Sequence, residues 1–267
     1  MSSHPQFISL STNSLETTIE YQWLNPELSD TPLVIFLHEG LGSLSMWKKF
    51  PQQLCDAIQC RGLVYSRPAY GQSTPRRSNE KWDINFMHQH AYEVLPYFLS
   101  ELSIDTRKNP PWLFGHSDGA SIALLYASKY PDLLAGAIVL APHILVENIT
   151  ISNIKQARSA YKNTNLHEKL AKYHNDVDSA FWGWNDIWLN PDFIKWNIET
   201  EITKITCPLL AVQGFDDEYG TMEQIQGIKR RLPQTELLEL SNCGHSPHRD
   251  QPEALIIATN HFIHNYS

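Results

Sequence analysis

Five consecutive residues, Gly115-His116-Ser117-Asp118-Gly119, carry the strongest chemical suggestion in this chain of 267 residues. A serine hydroxyl attacks carbonyl carbon when a tight backbone turn pushes it outward beside a general base. Glycines on both sides suit such a turn, because it is too sharp for side chains at the flanking positions. The pentapeptide alone is a weak signal, since a serine on an ordinary strand-to-helix turn can simply cap the helix. Its surroundings raise it. Trp112-Leu-Phe-Gly115 is a short apolar run of the kind that forms a buried strand. From Gly119 to Lys129 the apolar residues Ile122, Leu125 and Tyr126 recur at helical spacing among small ones. Ser117 is therefore expected at the tip of a strand–turn–helix, where it is a candidate nucleophile.

A nucleophilic serine needs a base and a group that orients the base. Two later segments supply these residue types. The apolar run 209–213 is followed by Gly214-Phe-Asp-Asp-Glu218, so a carboxylate (Asp216, Asp217 or Glu218) stands at a strand end. The run 237–240 is followed by Ser241-Asn-Cys-Gly-His-Ser-Pro-His248, which places His245 and His248 at the end of the next. In open α/β sheets the loops at the carboxyl ends of the strands converge, so residues far apart in sequence meet there. His38, His116 and His143 are rival bases. Cys243 lies two residues before His245, but sequence neighbours seldom face each other productively, so it is read as structural. The pairs His88-Gln-His90 and His245-x-x-His248 lack a third ligand, and no metal is expected.

These residues require elements to hold them. Continuous apolar stretches at 33–38, 62–66, 112–115, 136–141 and 209–213 suit strands covered by helices on both faces, as a parallel sheet demands. A hairpin over 6–11 and 17–24, turning at Asn13-Ser14, precedes them. Helices are expected at 47–58, 83–102 (kinked by Pro96), 119–129, 221–232 and 252–264, so strands and helices alternate and the fold class is α/β. Residues 143–204 break the alternation. They contain no strand-like run, only helical segments near 149–162, 166–173, 177–188 and 191–201, with Phe181 and the tryptophans 182, 184, 188 and 196. The expected organisation is one core, 1–142 plus 205–267, interrupted by a helical insertion, 143–204.

Composition narrows the partners. Hydrophobic residues make up 42% and charged residues 19%, and the net charge is -8. No run of Lys or Arg exceeds Arg76-Arg77, which argues against nucleic acid or an anionic membrane surface as the main partner. No apolar stretch approaches the roughly 20 residues of a membrane span. The first residues lack a charged segment followed by an apolar one, and the four scattered cysteines read as reduced thiols. A cytoplasmic protein with a small-molecule substrate is expected, its oligomeric state unreadable.

With these motifs in place, the chain resembles the α/β-hydrolase superfamily over nearly its whole length. The order Ser, Asp, His matches that superfamily. The further motifs are His38-Glu-Gly-Leu-Gly-Ser43, Ser66-Arg-Pro-Ala-Tyr-Gly-Gln-Ser73, Gly214–Asp217, and Cys243-Gly-His245 followed by Gln251-Pro-Glu253. The resemblance implies an α/β-hydrolase fold with a mostly parallel sheet and a helical cap at 143–204. It implies Ser117 as nucleophile, His245 as base and Asp217 as orienting acid, the last because the family's acid stands third after a glycine. It also implies an oxyanion hole from the backbone N–H groups of Gly40 and Asp118. Two residues depart from the family loop: Ser66 replaces its usual Asp and Ala69 its first Gly. Glu39 stands where glycine is common, so it is expected either to fold into a salt bridge or to meet a polar or cationic part of the substrate. His143, Trp182 and Trp184 are candidate substrate contacts. The expected activity is hydrolysis of a small carboxylic ester, or a related thioester or lactone, with no cofactor. A carbon–carbon bond hydrolase and a non-catalytic ligand receptor on the same fold are the alternatives.

Overall fold

The structure, a computed structural model, describes residues 4–11, 16–77 and 79–266. The turn expected at Asn13-Ser14 lies outside them. Eight strands form one sheet in the order β1-β2-β4-β3-β5-β6-β7-β8. They are β1 Gln6–Ser11, β2 Glu16–Leu24, β3 Leu33–Leu37, β4 Arg61–Tyr65, β5 Trp112–His116, β6 Gly136–Leu140, β7 Leu209–Gly214 and β8 Glu236–Leu240. β1 and β2 pair antiparallel, as do β2 and β4, and every later pairing is parallel. β5, β6 and β7 are buried at every residue, which explains their unbroken apolar sequence. Two apolar clusters fill the two faces: alternate residues of β3, Ile35 and Leu37 against Val34 and Phe36, go to opposite sides. The α/β class with a mostly parallel sheet is borne out.

The helices are α1 Phe50–Ile58, α2 Phe86–Gln89, α3 Leu95–Glu101, α4 Asp118–Lys129, α5 Asn148–Asn163, α6 Leu166–Leu170, α7 Val177–Trp188, α8 Glu223–Arg231, α9 Pro247–Asp250 and α10 Pro252–Tyr266. A π-helical turn, His90–Val94, joins α2 to α3. The disturbance expected at Pro96 thus falls one turn earlier. Proline has no N–H to give the preceding turn, and the backbone widens where that bond is missing. Between β6 and β7 the chain runs only through α5, α6, α7 and two short 3₁₀ turns, Phe193–Lys195 and Glu201–Lys204. The helix expected over 191–201 does not form. Instead Asn197 bridges to Leu145, and the Ile198 N–H donates to the Ile144 carbonyl at 2.8 Å, which holds residues 196–198 extended against the segment leaving β6. Among the described residues no helix is long and apolar enough to cross a membrane.

Candidate active site

β5 ends at His116, and α4 begins at Asp118. The single residue between them, Ser117, has φ 52° and ψ -118°. A serine held at positive φ stores about 1–3 kcal/mol of strain, which the packing around it must offset. A Cβ on Gly115 would lie 2.6 Å from the Ala120 Cα, and one on Gly119 would strike the Leu37 carbonyl, so both glycines are required. Ser117 Oγ lies 2.9 Å from His245 Nε2. His245 Nδ1 in turn donates to the Asp217 carboxylate, at 2.8 Å to Oδ1 and 2.9 Å to Oδ2. Asp217 also accepts from Gln213 Nε2 at 2.6 Å, from the Tyr219 N–H at 2.7 Å and from the Gly220 N–H at 3.2 Å. These bonds fix the carboxylate before it fixes the imidazole.

Electrostatics follow the geometry. Burial pushes the Asp217 carboxyl up, but the His245 charge and hydrogen bond, with the Tyr219 amide, outweigh it and hold the group below its ordinary value. Burial likewise opposes a proton on His245. The Asp217 charge and hydrogen bond, then Glu218 and Glu39, overcome that and raise its pKa above the usual 6.5. Among the described residues no other histidine hydrogen-bonds Ser117 Oγ. His38 Nδ1 donates to the Glu39 carbonyl at 2.7 Å and Nε2 accepts the Arg67 N–H at 2.9 Å. His116 Nε2 donates to the His245 carbonyl at 2.6 Å, tying the nucleophile strand to the histidine loop. His143 is fully enclosed, and burial, then the neighbouring His245 charge, push it down to about 3. Of the carboxylates left open in the sequence, Asp217 alone meets the imidazole Nδ1. Cys243 is buried, its thiol pushed up to about 11 by burial and nearby aspartates, so it has no thiolate to offer.

Ser117 and His245 face a cavity of about 120 Å³ lined also by Glu39, Gly40, Leu41, Asp118, His143, Thr150, Ile154, Trp184, Trp188 and Tyr219. Gly40 and Asp118, the two expected oxyanion donors, thus border the same space as the nucleophile. Asp118 opens α4, so its N–H has no carbonyl one turn earlier to bond. His143 and Trp184 line the cavity, as the sequence suggested. Trp182 does not: it lies on the opposite face of α7, where its Nε1 donates to Asp178 Oδ1 at 3.2 Å. Helical spacing separates them, because Trp184 and Trp188 are one turn apart and share a face whereas Trp182 points away. Thr150 and Ile154 of α5 and Tyr219, in the loop after β7, line the cavity as well, and only the folded arrangement brings them there.

The departures from the family loops find compensation. Ser66 Oγ donates to Glu20 Oε2 at 2.6 Å, and the Gln72 N–H donates to the same oxygen at 2.9 Å. Glu20 on β2 therefore brings a carboxylate to the loop that has lost its Asp. Ala69 has φ 75°, the conformation for which the family uses glycine. Glu39 folds back over Gly42, with Oε2 3.4 Å from His116 Nδ1 and Oε1 3.7 Å from Arg249 Nη2. Burial raises its carboxyl, but His116 beside it, then His248 and His38, hold it well below the ordinary value. Its carboxylate thus has a histidine and an arginine as partners.

Residues 34–258 match a family model described as "Alpha/beta hydrolase family". In sequence the chain is similar to a Mus musculus protein named sn-1-specific diacylglycerol lipase ABHD11, with 22% identity over 263 residues, 87% of this chain and 81% of that one. In structure it is similar to a thermophilic esterase from Thermogutta terrifontis, with TM-score 0.73, 19% identity and coverage of 99% of this chain and 100% of the other. It is also similar to a structure reported among carboxylesterases of Nitrososphaera gargenis, with TM-score 0.77, 16% identity and 98% of each chain covered.

Proposed function

Because the chain belongs to the alpha/beta hydrolase family, we propose that it is a serine hydrolase of short carboxylic esters working through an acyl-enzyme. The observation that carries this reading is the unbroken line from Ser117 Oγ through His245 to Asp217 at the wall of this cavity. His245 removes the Ser117 proton as Oγ attacks the acyl carbon, and Asp217 steadies the imidazolium that forms. The N–H groups of Gly40 and Asp118 take the developing oxyanion, each worth about 3 kcal/mol to the transition state. His245 then protonates the leaving alcohol. Water, deprotonated by the same imidazole, releases the acid. In this reading the insertion, residues 143–204, is a cap that covers the site with α5 and α7, and the names of the mouse lipase and of the two esterase structures support ester substrates.

Cavity size sets the substrate scale. A cavity of about 150 Å³ holds one benzene ring, and the space here is about 120 Å³. Acyl groups of two to four carbons match a space of this size; an eight-carbon chain exceeds it. With a series of p-nitrophenyl esters, kcat/KM for acetate through butyrate should exceed that for octanoate by about tenfold or more, since each misplaced methylene costs on the order of 1 kcal/mol or more. A maximum at eight carbons or beyond would refute the short-chain assignment.

A further inference from the structure

Arg67, in the loop after β4, buries a positive charge against Glu39 and Asp118, two residues that line the cavity. It is 3% exposed, and a buried guanidinium is costly unless it is paired and hydrogen-bonded. Its Nη2 donates to the Glu39 carbonyl at 2.9 Å and stands 3.7 Å from Asp118 Oδ2. Its Cζ lies 4.7 Å from the centre of the Tyr70 ring, which supports the guanidinium from one side. The Arg67 N–H donates to His38 Nε2 at 2.9 Å, and His38 Nδ1 donates to the same Glu39 carbonyl at 2.7 Å. Guanidinium and imidazole together use both lone pairs of that one oxygen. The carbonyl belongs to the peptide whose other end is the Gly40 N–H. A trans peptide is planar, with C=O and N–H pointing opposite ways, so holding the first aims the second. Among the described residues the Gly40 N–H makes no hydrogen bond that would hold it from its own side. Bonds to the carbonyl also polarise the peptide and strengthen its N–H as a donor. Asp118, the second contact of the guanidinium, supplies the other expected oxyanion donor. Its Oδ1 accepts the Trp188 indole N–H at 3.1 Å, which leaves Oδ2 for the ion pair.

Resting on the serine-hydrolase reading above, the geometry points to Arg67 as a positioning residue of the oxyanion hole, where one guanidinium, bound to Glu39 and Asp118, sets the Gly40 and Asp118 N–H groups in register from behind. Arg67 does not line the cavity, so it acts through these two residues and not on the substrate. Its contribution belongs to the transition state, in which negative charge gathers on the substrate oxygen. An ion pair that served the fold alone would have no such selectivity.

The test compares p-nitrophenyl acetate with its thiono analogue, in which sulfur replaces the carbonyl oxygen, in the native protein, in Arg67→Gln and in Arg67→Lys. Sulfur is a weak hydrogen-bond acceptor, so the thiono ester draws less on the two N–H groups, while Ser117, His245 and Asp217 serve both esters alike. In Arg67→Gln, kcat/KM for the acetate should fall by about tenfold or more, short of the roughly 10²–10³-fold that removing a whole donor costs. For the thiono ester it should fall much less, so the oxygen-to-sulfur rate ratio drops. Arg67→Lys keeps a cation without the planar fork, and its ratio should lie between those of the native protein and Arg67→Gln. It also preserves the test if the buried charge is needed for folding. Loss of folded protein slows both esters equally and leaves the ratio untouched. The native ratio in both variants would therefore overturn the role, whatever the loss of rate. Native protein that cleaves neither ester would instead strike down the hydrolase reading, and the role of Arg67 with it.

Discussion

At the residue scale the account rests on how three side chains share one proton. His245 must be neutral to accept the Ser117 proton, yet Asp217, Glu218 and Glu39 stabilise its charged form and raise its pKa. The base is therefore lost as pH falls through a midpoint above the ordinary histidine value of 6.5. kcat/KM for a neutral ester should drop along that limb. In Asp217→Asn the largest charge acting on the imidazole is gone, so the midpoint should move down in pH while the rate falls about 10⁴-fold, as expected when the tautomer is no longer fixed. A pH profile unchanged by this substitution would remove Asp217 from its assigned role. Asp217 and His245 were legible because each directly follows a strand. The partners of Glu39 were not, because His116 and Arg249 reach it only through the folded sheet edge.

At the element scale the candidate site is a meeting of four loops, after β3, β5, β7 and β8, which the His116-to-His245 and His245-to-Asp217 hydrogen bonds and the folded Glu39 side chain tie together. Helix α7 lies over this junction with almost no clearance at Gly40, where an added methyl would strike Trp184 Nε1 and the neighbouring Cδ1. Gly40→Ala should therefore displace Trp184 and disturb an oxyanion donor together. The expected loss in kcat is on the order of 10²-fold or more, with little change in thermal stability, measured by steady-state kinetics beside a melting curve. Unchanged kcat would show that α7 does not constrain the β3 loop. Strand and helix periodicity was readable here because burial on one face or both writes it into the sequence. The break in 191–201, a 3₁₀ turn and then a short extended piece at 196–198, was not, because the pairing of Asn197 with Leu145 and of Ile198 with Ile144 is a tertiary choice that overrides local helical spacing. Trp182 was misplaced for a related reason: an aromatic-rich helix shows its aromatic content in sequence, but not which face turns to the substrate.

At the scale of the whole molecule, the stretch 143–204 and the sheet are not loosely joined. Phe181, Trp184 and Trp188 of α7 belong to the same apolar cluster as Leu113 of β5 and Ile122 of α4. Polar ties add to this: Trp188 Nε1 to Asp118, and His174, whose Nδ1 accepts the Gly71 N–H at 3.0 Å while Nε2 donates to the Leu41 carbonyl at 3.0 Å. Two parts that share a core unfold together, so calorimetry should give one transition with equal calorimetric and van't Hoff enthalpies. A separate early transition for the 143–204 insertion would contradict that coupling. The central claim, however, is that Ser117 is the nucleophile, and covalent labelling tests it most directly. A fluorophosphonate should modify the native protein at a single site, located by peptide mass spectrometry at Ser117, and Ser117→Ala should take up none. No labelling of the native protein, or equal labelling of Ser117→Ala, would contradict the account.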